Sequence, residues 1–254
     1  MNSEDHLGDP KSQLTLALEA RRPLERISRR ARRIRIEIRG DGEVVLIIPR
    51  RASRAAAYRF LDSQTAWIAR ERQRLRSRPR APVPELRWDG ADLFPLRGLR
   101  LPLRVEVIQG RRAKAEATGQ GISLCVPASW RVKEKKLRGL LLEALKFEAK
   151  RDALTLLSEE SERIGLNYSE LRLRDMRSRW GSCGPDGRIS LSVRLVMAPP
   201  EVFRYVVIHE LCHIRWRSHG PRFWAMVRVQ MPEFEMHRGW LRRHGDELLA
   251  WPLR

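Results

Sequence analysis

The chain has 254 residues, enough to bury a sizeable core in one large or two smaller domains. Lysine and arginine number 51 against 31 acids, a net charge of +20 that favours polyanionic partners. Cys125, Cys183 and Cys212 are odd in number and widely spaced, which argues against a disulfide-built scaffold, and no apolar run reaches membrane-spanning length.

The first residues, Met1 to His6, are polar and acidic and lack the apolar core of a signal peptide, so the expectation is a soluble, cytoplasmic protein. Residues 1–25 mix charges with Gly8, Pro10 and Pro23 without a period and read as a tail. The alternation Ile34-Arg35-Ile36-Glu37-Ile38 then predicts a half-buried strand. Gly40-Asp41-Gly42 predicts a turn, and Val44 to Ile48 the returning strand of a hairpin ended by Pro49. From Ala52 to Leu75, Ala57, Phe60, Leu61, Trp67 and Ile68 recur at helical spacing and predict one amphipathic helix packed on that hairpin. Residues 21–80 hold nineteen arginines against six acids, a face that could contact nucleic acid or simply be solvated.

Trp88-Asp89-Gly90 and Arg97-Gly98 are turn signals, and Leu101 to Val107 and Ile122 to Val126 alternate as strands. Residues 26–128 therefore read as a β-rich region with one helix and no catalytic constellation; a C-terminal domain is expected over 129–254. Leucines and alanines from Val132 to Ile164 predict one long helix or two in succession, closed by Gly165. Strands follow at Leu171 to Asp175 and at Arg188 to Val193, the latter after a Pro185-Asp186-Gly187 turn.

Pro199-Pro200-Glu201 supplies a helix start, and Val202 to Ile208 an apolar face that continues into His209-Glu210-Leu211-Cys212-His213. Residues four apart share a helix face, so His209 and His213 can offer two imidazole nitrogens to one cation. Glu210 sits beside them. An HExxH run reads as a zinc site in which the glutamate is general base toward a water. Burying these three polar groups is costly unless a cation satisfies them together. Cys212, in the same helix, reads as a small buried thiol.

A catalytic zinc takes three protein ligands. His219 is the natural third, with Glu233, Glu235 and His237 as alternatives from a later segment. The His213 to His219 spacing matches the metzincin pattern, but the glycine of that pattern is replaced by Trp216. Beyond His219, Gly220-Pro221 starts a helix with Phe223, Trp224, Val227 and Met231 on its buried face. Trp240, Leu241, Leu248 and Leu249 predict a last helix, with His237 and His244 as surface or supporting groups.

Arg179-Trp180-Gly181-Ser182-Cys183, then Gly187-x-Ile189-x-Leu191, Pro200, the HExxH run and His219-x-x-x-Phe223-Trp224 resemble the YgjP-like family of zinc metallopeptidases. The resemblance covers roughly residues 30–250 and departs where the family has asparagine and tryptophan, here Ser192 and Val193. It implies an α+β, zincin-like metallopeptidase domain whose HExxH helix packs on a small sheet, with His209, His213 and His219 as ligands of Zn2+ and Glu210 as catalytic base. His219-Gly220-x-x-Phe223-Trp224 is also similar to SprT-like proteases, which act on proteins crosslinked to DNA. The expected partner is a peptide or protein substrate, which could add as a strand to an open edge of Arg188 to Val193. Arg179 or Arg177 is a candidate for stabilising the oxyanion. Two other readings remain: a basic module that docks on nucleic acid through residues 21–80, with the zinc site secondary, and a structural core in which the histidines bond one another and Glu210.

Overall fold

A computed structural model of the chain describes residues 23–29, 31–39, 42–77, 82–131, 133–176 and 178–253. The expected tail up to residue 22, Gly40-Asp41 of the first turn, residues 78–81 and Arg177 lie outside them. The chain divides into two compact units, residues 1–80 and 81–254.

In the first unit, β1 (Leu24–Ser28), β2 (Arg35–Ile38) and β3 (Val44–Pro49) form a sheet in the order β1-β3-β2. The expected hairpin is β2 against β3, antiparallel from Arg35↔Ile47 to Ile38↔Val44. β1, which lacks an alternating apolar pattern, runs parallel to β3 on its other side. The expected single helix is two, α1 (Arg54–Ser63) and α2 (Thr65–Ser77), broken at Gln64. The Ser53 hydroxyl caps α1 by accepting from the Ala56 N–H at 3.1 Å. Val44, Leu46 and Ile48 pack with Ala57, Leu61 and Ile68 in a small core of their own.

The second unit is built on β4 (Asp92–Leu96), β5 (Leu99–Ile108), β6 (Lys114–Thr118) and β7 (Gly121–Pro127), ordered β4-β5-β7-β6. The apolar face of this sheet shares one core with the helices that follow. The turn between β4 and β5 shows why. Arg97 and Gly98, both at positive φ, donate their N–H groups to the carbonyls of Val196 (2.7 Å) and Met197 (3.1 Å). A β-carbon on Gly98 would sit 3.0 Å from Pro199 Cγ, so only glycine lets the turn approach. The Arg97 guanidinium reaches Asp152 (2.8 Å) and the buried Glu148 (2.7 Å).

Both of those acids lie on α3 (Glu134–Ile164), one unbroken helix ended by Gly165 in the left-handed conformation at φ 71°, as its sequence predicts. Leu137, Leu141, Leu145, Ala149, Ala153 and Leu157, three or four apart, form its buried stripe. Each buried leucine contributes about 1.5–3 kcal/mol.

A third sheet holds β8 (Glu170–Arg174), β9 (Gly181–Cys183) and β10 (Arg188–Ser192) in the order β8-β10-β9. β10 is therefore central: β8 pairs with it in parallel and β9 antiparallel. The expectation of an open edge on Arg188 to Val193 is corrected, because both its edges are taken; among the described residues the outer strand on that side is β9. The Ser192 N–H donates to Trp180 O at 2.8 Å, which extends the β9–β10 pairing by one bond. A buried 3-10 segment, Val193–Met197, leads to α4 (Pro200–Arg215), α5 (Pro221–Gln230) and α6 (Phe234–Ala250).

Arg194 in that segment is fully buried. Its Nε donates to Asp175 at 2.6 Å and its Nη1 to the carbonyls of Leu248 (2.7 Å) and Trp251 (3.0 Å) at the end of α6. One guanidinium thus satisfies carbonyls that a helix end leaves open. The architecture is α+β, and no helix among the described residues is long and apolar enough to cross a membrane.

Candidate metal centre and active site

α4 carries the site because its two faces differ. Val202, Phe203, Val207, Ile208 and Leu211 bury one side, while His209 and His213, with Val206, line a cleft of about 620 Å³ on the other. Pro199 and Pro200 start the helix, and Glu201 faces the positive end of its dipole. Its last turn closes on Trp216, whose N–H donates to Cys212 O at 2.9 Å. Trp216 takes an extended backbone, φ −126° and ψ 104°, so this turn needs no glycine. Cys212 is fully buried, and burial pushes its thiol up to about 12, in keeping with an inert core residue.

The chain beyond Trp216 brings His219 back to the helix. His219 Nε2 lies 3.0 Å from His209 Nε2 and 3.1 Å from His213 Nε2. Nitrogens around a tetrahedral cation with bonds of about 2.0–2.1 Å stand about 3.3 Å apart; the two distances from His219 are close to that spacing, and the three donor atoms lie within 4.8 Å of one another. His213 Nδ1 donates to Trp216 O at 2.9 Å, which leaves the Nε2 lone pair facing the other two rings. Phe223 stacks on His213 with centroids 4.4 Å apart, and Trp224 stacks on His219 at 5.5 Å. The aromatic pair of α5 thus clamps the imidazoles, with Phe223 buried and Trp224 half-buried.

Among the described residues these histidines are the group of three whose donor atoms can share an ion. Glu233, Glu235 and His237 do not line the cleft; Glu235 reaches Arg228 at 3.2 Å instead, and His237 is buried on α6. Burial pushes the His209 imidazole down to about 3, with the neighbouring His213 and His219 adding to the effect. Burial lowers His213 too. Both rings are thus held uncharged, as metal binding requires.

Glu210 is 4% exposed, and burial pushes its carboxyl up to about 8 against the opposing pull of Arg179. Its Oε2 and His209 Nδ1 are buried without a hydrogen-bond partner. Such orphaned atoms mark a site whose polar groups are completed by something bound there. The carboxylate lies against β9: a β-carbon on Gly181 would stand 2.5 Å from Glu210 Oε1. The neighbouring Trp180 fills the space against α6, 3.0 Å from where a β-carbon of Gly245 would be. These two contacts give the Arg179-Trp180-Gly181 run its physical meaning.

Arg179, Ser182, Cys183 and Tyr205 also line the cleft, together with Arg217, Arg238 and Leu241. Tyr205, four residues before His209, could have been placed there by helical spacing. Arg238 carries no sequence signal. The oxyanion candidate Arg179 sits exposed at the rim, while Arg177 is outside the described residues.

A family model for the YgjP-like metallopeptidase domain matches residues 32–244. No curated protein matches the chain. Among solved structures, the metallopeptidase zymogen abylysin of Pyrococcus abyssi is similar at 22% identity and TM-score 0.34, covering 38% of this chain and 94% of that one. The metallopeptidase zymogen jannalysin of Methanocaldococcus jannaschii is similar at 19% identity and TM-score 0.33, over 36% and 88% respectively. The chain belongs to the YgjP-like metallopeptidase family and is a metal-dependent protease.

Proposed function

We propose that this protein is a zinc peptidase in which His209, His213 and His219 hold the ion and Glu210 is the general base. The observation that carries the reading is the convergence of three imidazoles, with His219 Nε2 about 3 Å from the Nε2 atoms of both His209 and His213, beside a buried carboxylate at one cleft. Three neutral imidazoles suit Zn2+ and leave a fourth position open. When bound, the cation supplies positive charge that polarises a peptide carbonyl and makes a nearby water more acidic.

The residues of the chain then divide the work. Glu210 accepts a proton from the water as its oxygen adds to the carbonyl carbon, then passes that proton to the amine nitrogen as the C–N bond breaks. The positive charge beside it favours the ionised carboxylate and counters the effect of burial. His213 is held in the required tautomer by Trp216 O. The outer edge of β9 offers backbone groups on which an extended peptide can add as a further strand, running past Glu210.

The test is cleavage of unfolded proteins by zinc-loaded wild type and Glu210→Gln. The wild type cuts and a chelator stops it; the variant binds equal zinc and does not cut. An active Gln variant would overturn the assignment of the base. The arginine-rich residues 21–80 are the ground for the second reading, recruitment to nucleic acid. In the first unit Arg26, Arg54 and Arg74 each meet a carboxylate, of Glu37, Glu25 and Glu71. Such pairing reduces the free charge of that face, so the peptidase reading is preferred.

A further inference from the structure

Several arginines of the second unit are held by acids. Arg97, Arg163, Arg188, Arg194 and Arg204 each meet a carboxylate within 3 Å. The arginines of the cleft are of the other kind. Arg179, Arg217 and Arg238 line it, and among the described residues none of them meets a carboxylate within ion-pair distance. Arg217 is tied by its Nη atoms to the carbonyls of Gly184 (2.6 Å) and Pro185 (3.0 Å), and Arg238 lies 4.6 Å over the Trp224 ring. Trp224 in turn stacks on His219, so Arg238 is held one ring away from the histidine cluster.

The cleft thus presents three guanidiniums and one acid, Glu210, which is buried and committed to the reaction. A bound cation adds further positive charge, since the three histidines are neutral donors. A positive cleft with apolar walls concentrates anions. A guanidinium without an acid partner, fixed on an aromatic face, is arranged to take a carboxylate in a forked geometry.

Resting on the peptidase reading, we propose that the cleft selects peptides bearing a carboxylate beside the scissile bond, received by Arg238 with Arg179 and Arg217 adding to the field. The carboxylate can belong to an aspartate or glutamate side chain or to the C-terminus of the peptide; the chemistry is the same. Arg238 is a specificity residue and has no part in the bond-breaking step.

The experiment uses the full chain loaded with zinc and a peptide pool blocked at both ends, with products sequenced by mass spectrometry. A parallel pool carries free C-termini. Cleavage concentrates beside Asp and Glu, by about tenfold over Lys, the size of effect that a charged hydrogen bond gives. If enrichment occurs only in the free pool, the carboxylate is that of the chain end. Arg238→Gln removes the acid-over-lysine preference and Arg238→Glu reverses it. Arg228→Gln, on the neighbouring helix and outside the cleft, leaves the preference unchanged.

Binding of labelled acidic, neutral and basic peptides to Glu210→Gln reads the same preference without turnover. No cleavage of any peptide would therefore sink the peptidase reading while the charge preference is still measured. Equal binding of acidic and basic peptides, or a preference untouched by Arg238→Glu, would overturn the proposal. So would displacement of the acidic peptide by a single-stranded oligonucleotide at lower concentration than by peptide, which would assign the cleft to nucleic acid.

Discussion

Gly181 and Glu210 approach so closely that a β-carbon on the glycine would stand 2.5 Å from Oε1 and 2.7 Å from Cγ of the glutamate. The Glu210 carboxylate, the proposed general base, is thus positioned by the absence of a side chain on a neighbouring strand. Gly181→Ala must push the carboxylate away from its place beside the histidines. Misplacement by about 1 Å costs roughly a hundredfold in rate. The expected result is turnover lowered by about that factor with zinc content unchanged, measured as kcat alongside metal analysis. Full activity in the alanine variant would show that the carboxylate does not need its seat against β9.

A second prediction concerns Arg194, buried with Asp175 and the carbonyls that end α6. Removing one member of a buried pair leaves the other charge uncompensated, at a cost of about 3–5 kcal/mol. Arg194→Ala is expected to lose that much in denaturant unfolding. Arg194→Lys should also lose stability, because one ammonium cannot serve Asp175 and two carbonyls in the same fork. A lysine variant as stable as wild type would show that only the charge matters.

The metal-free protein should have a stability plateau in mildly acid solution. His209 is lowered from 6.5 to about 3, so the unfolded chain takes up the proton first and stability falls as pH drops below 6.5 toward 3. Glu210 is raised from 4.5 to about 8, so the folded chain holds its proton longer and stability falls as pH rises from 4.5 toward 8. The two oppose each other between 4.5 and 6.5 and leave a loss on either side. Urea midpoints of chelated protein from pH 4 to 8.5 test this window. Glu210→Gln should abolish the alkaline loss and keep the acid one; the same alkaline loss in that variant would assign it elsewhere.

The sequence made the site more legible than its surroundings. His209 and His213 follow from helical spacing, and the long α3 from its leucine stripe and Gly165. β9 is legible only through the Pro185-Asp186-Gly187 turn that makes it one arm of a hairpin with β10, because Gly181-Ser182-Cys183 is three residues long and has no apolar alternation. It forms only because β10 offers an edge. The burial of Arg194 is not legible, since nothing local distinguishes a buried arginine from an exposed one; its partners lie 19 and 54 or more residues away. The approach of Gly181 to Glu210 is likewise a tertiary relation. A glycine within a strand does hint at close approach. The break at Gln64 between α1 and α2 was hidden because the apolar spacing continues across it.

The account rests on three imidazoles holding one ion, and metal content tests that most directly. Protein purified without added metal or chelator should contain about one zinc per chain, and His219→Ala should lose it or bind it far more weakly. A wild type that carries no metal and takes up none when zinc is added, or a His219→Ala variant that holds zinc as tightly as wild type, would contradict the proposed centre.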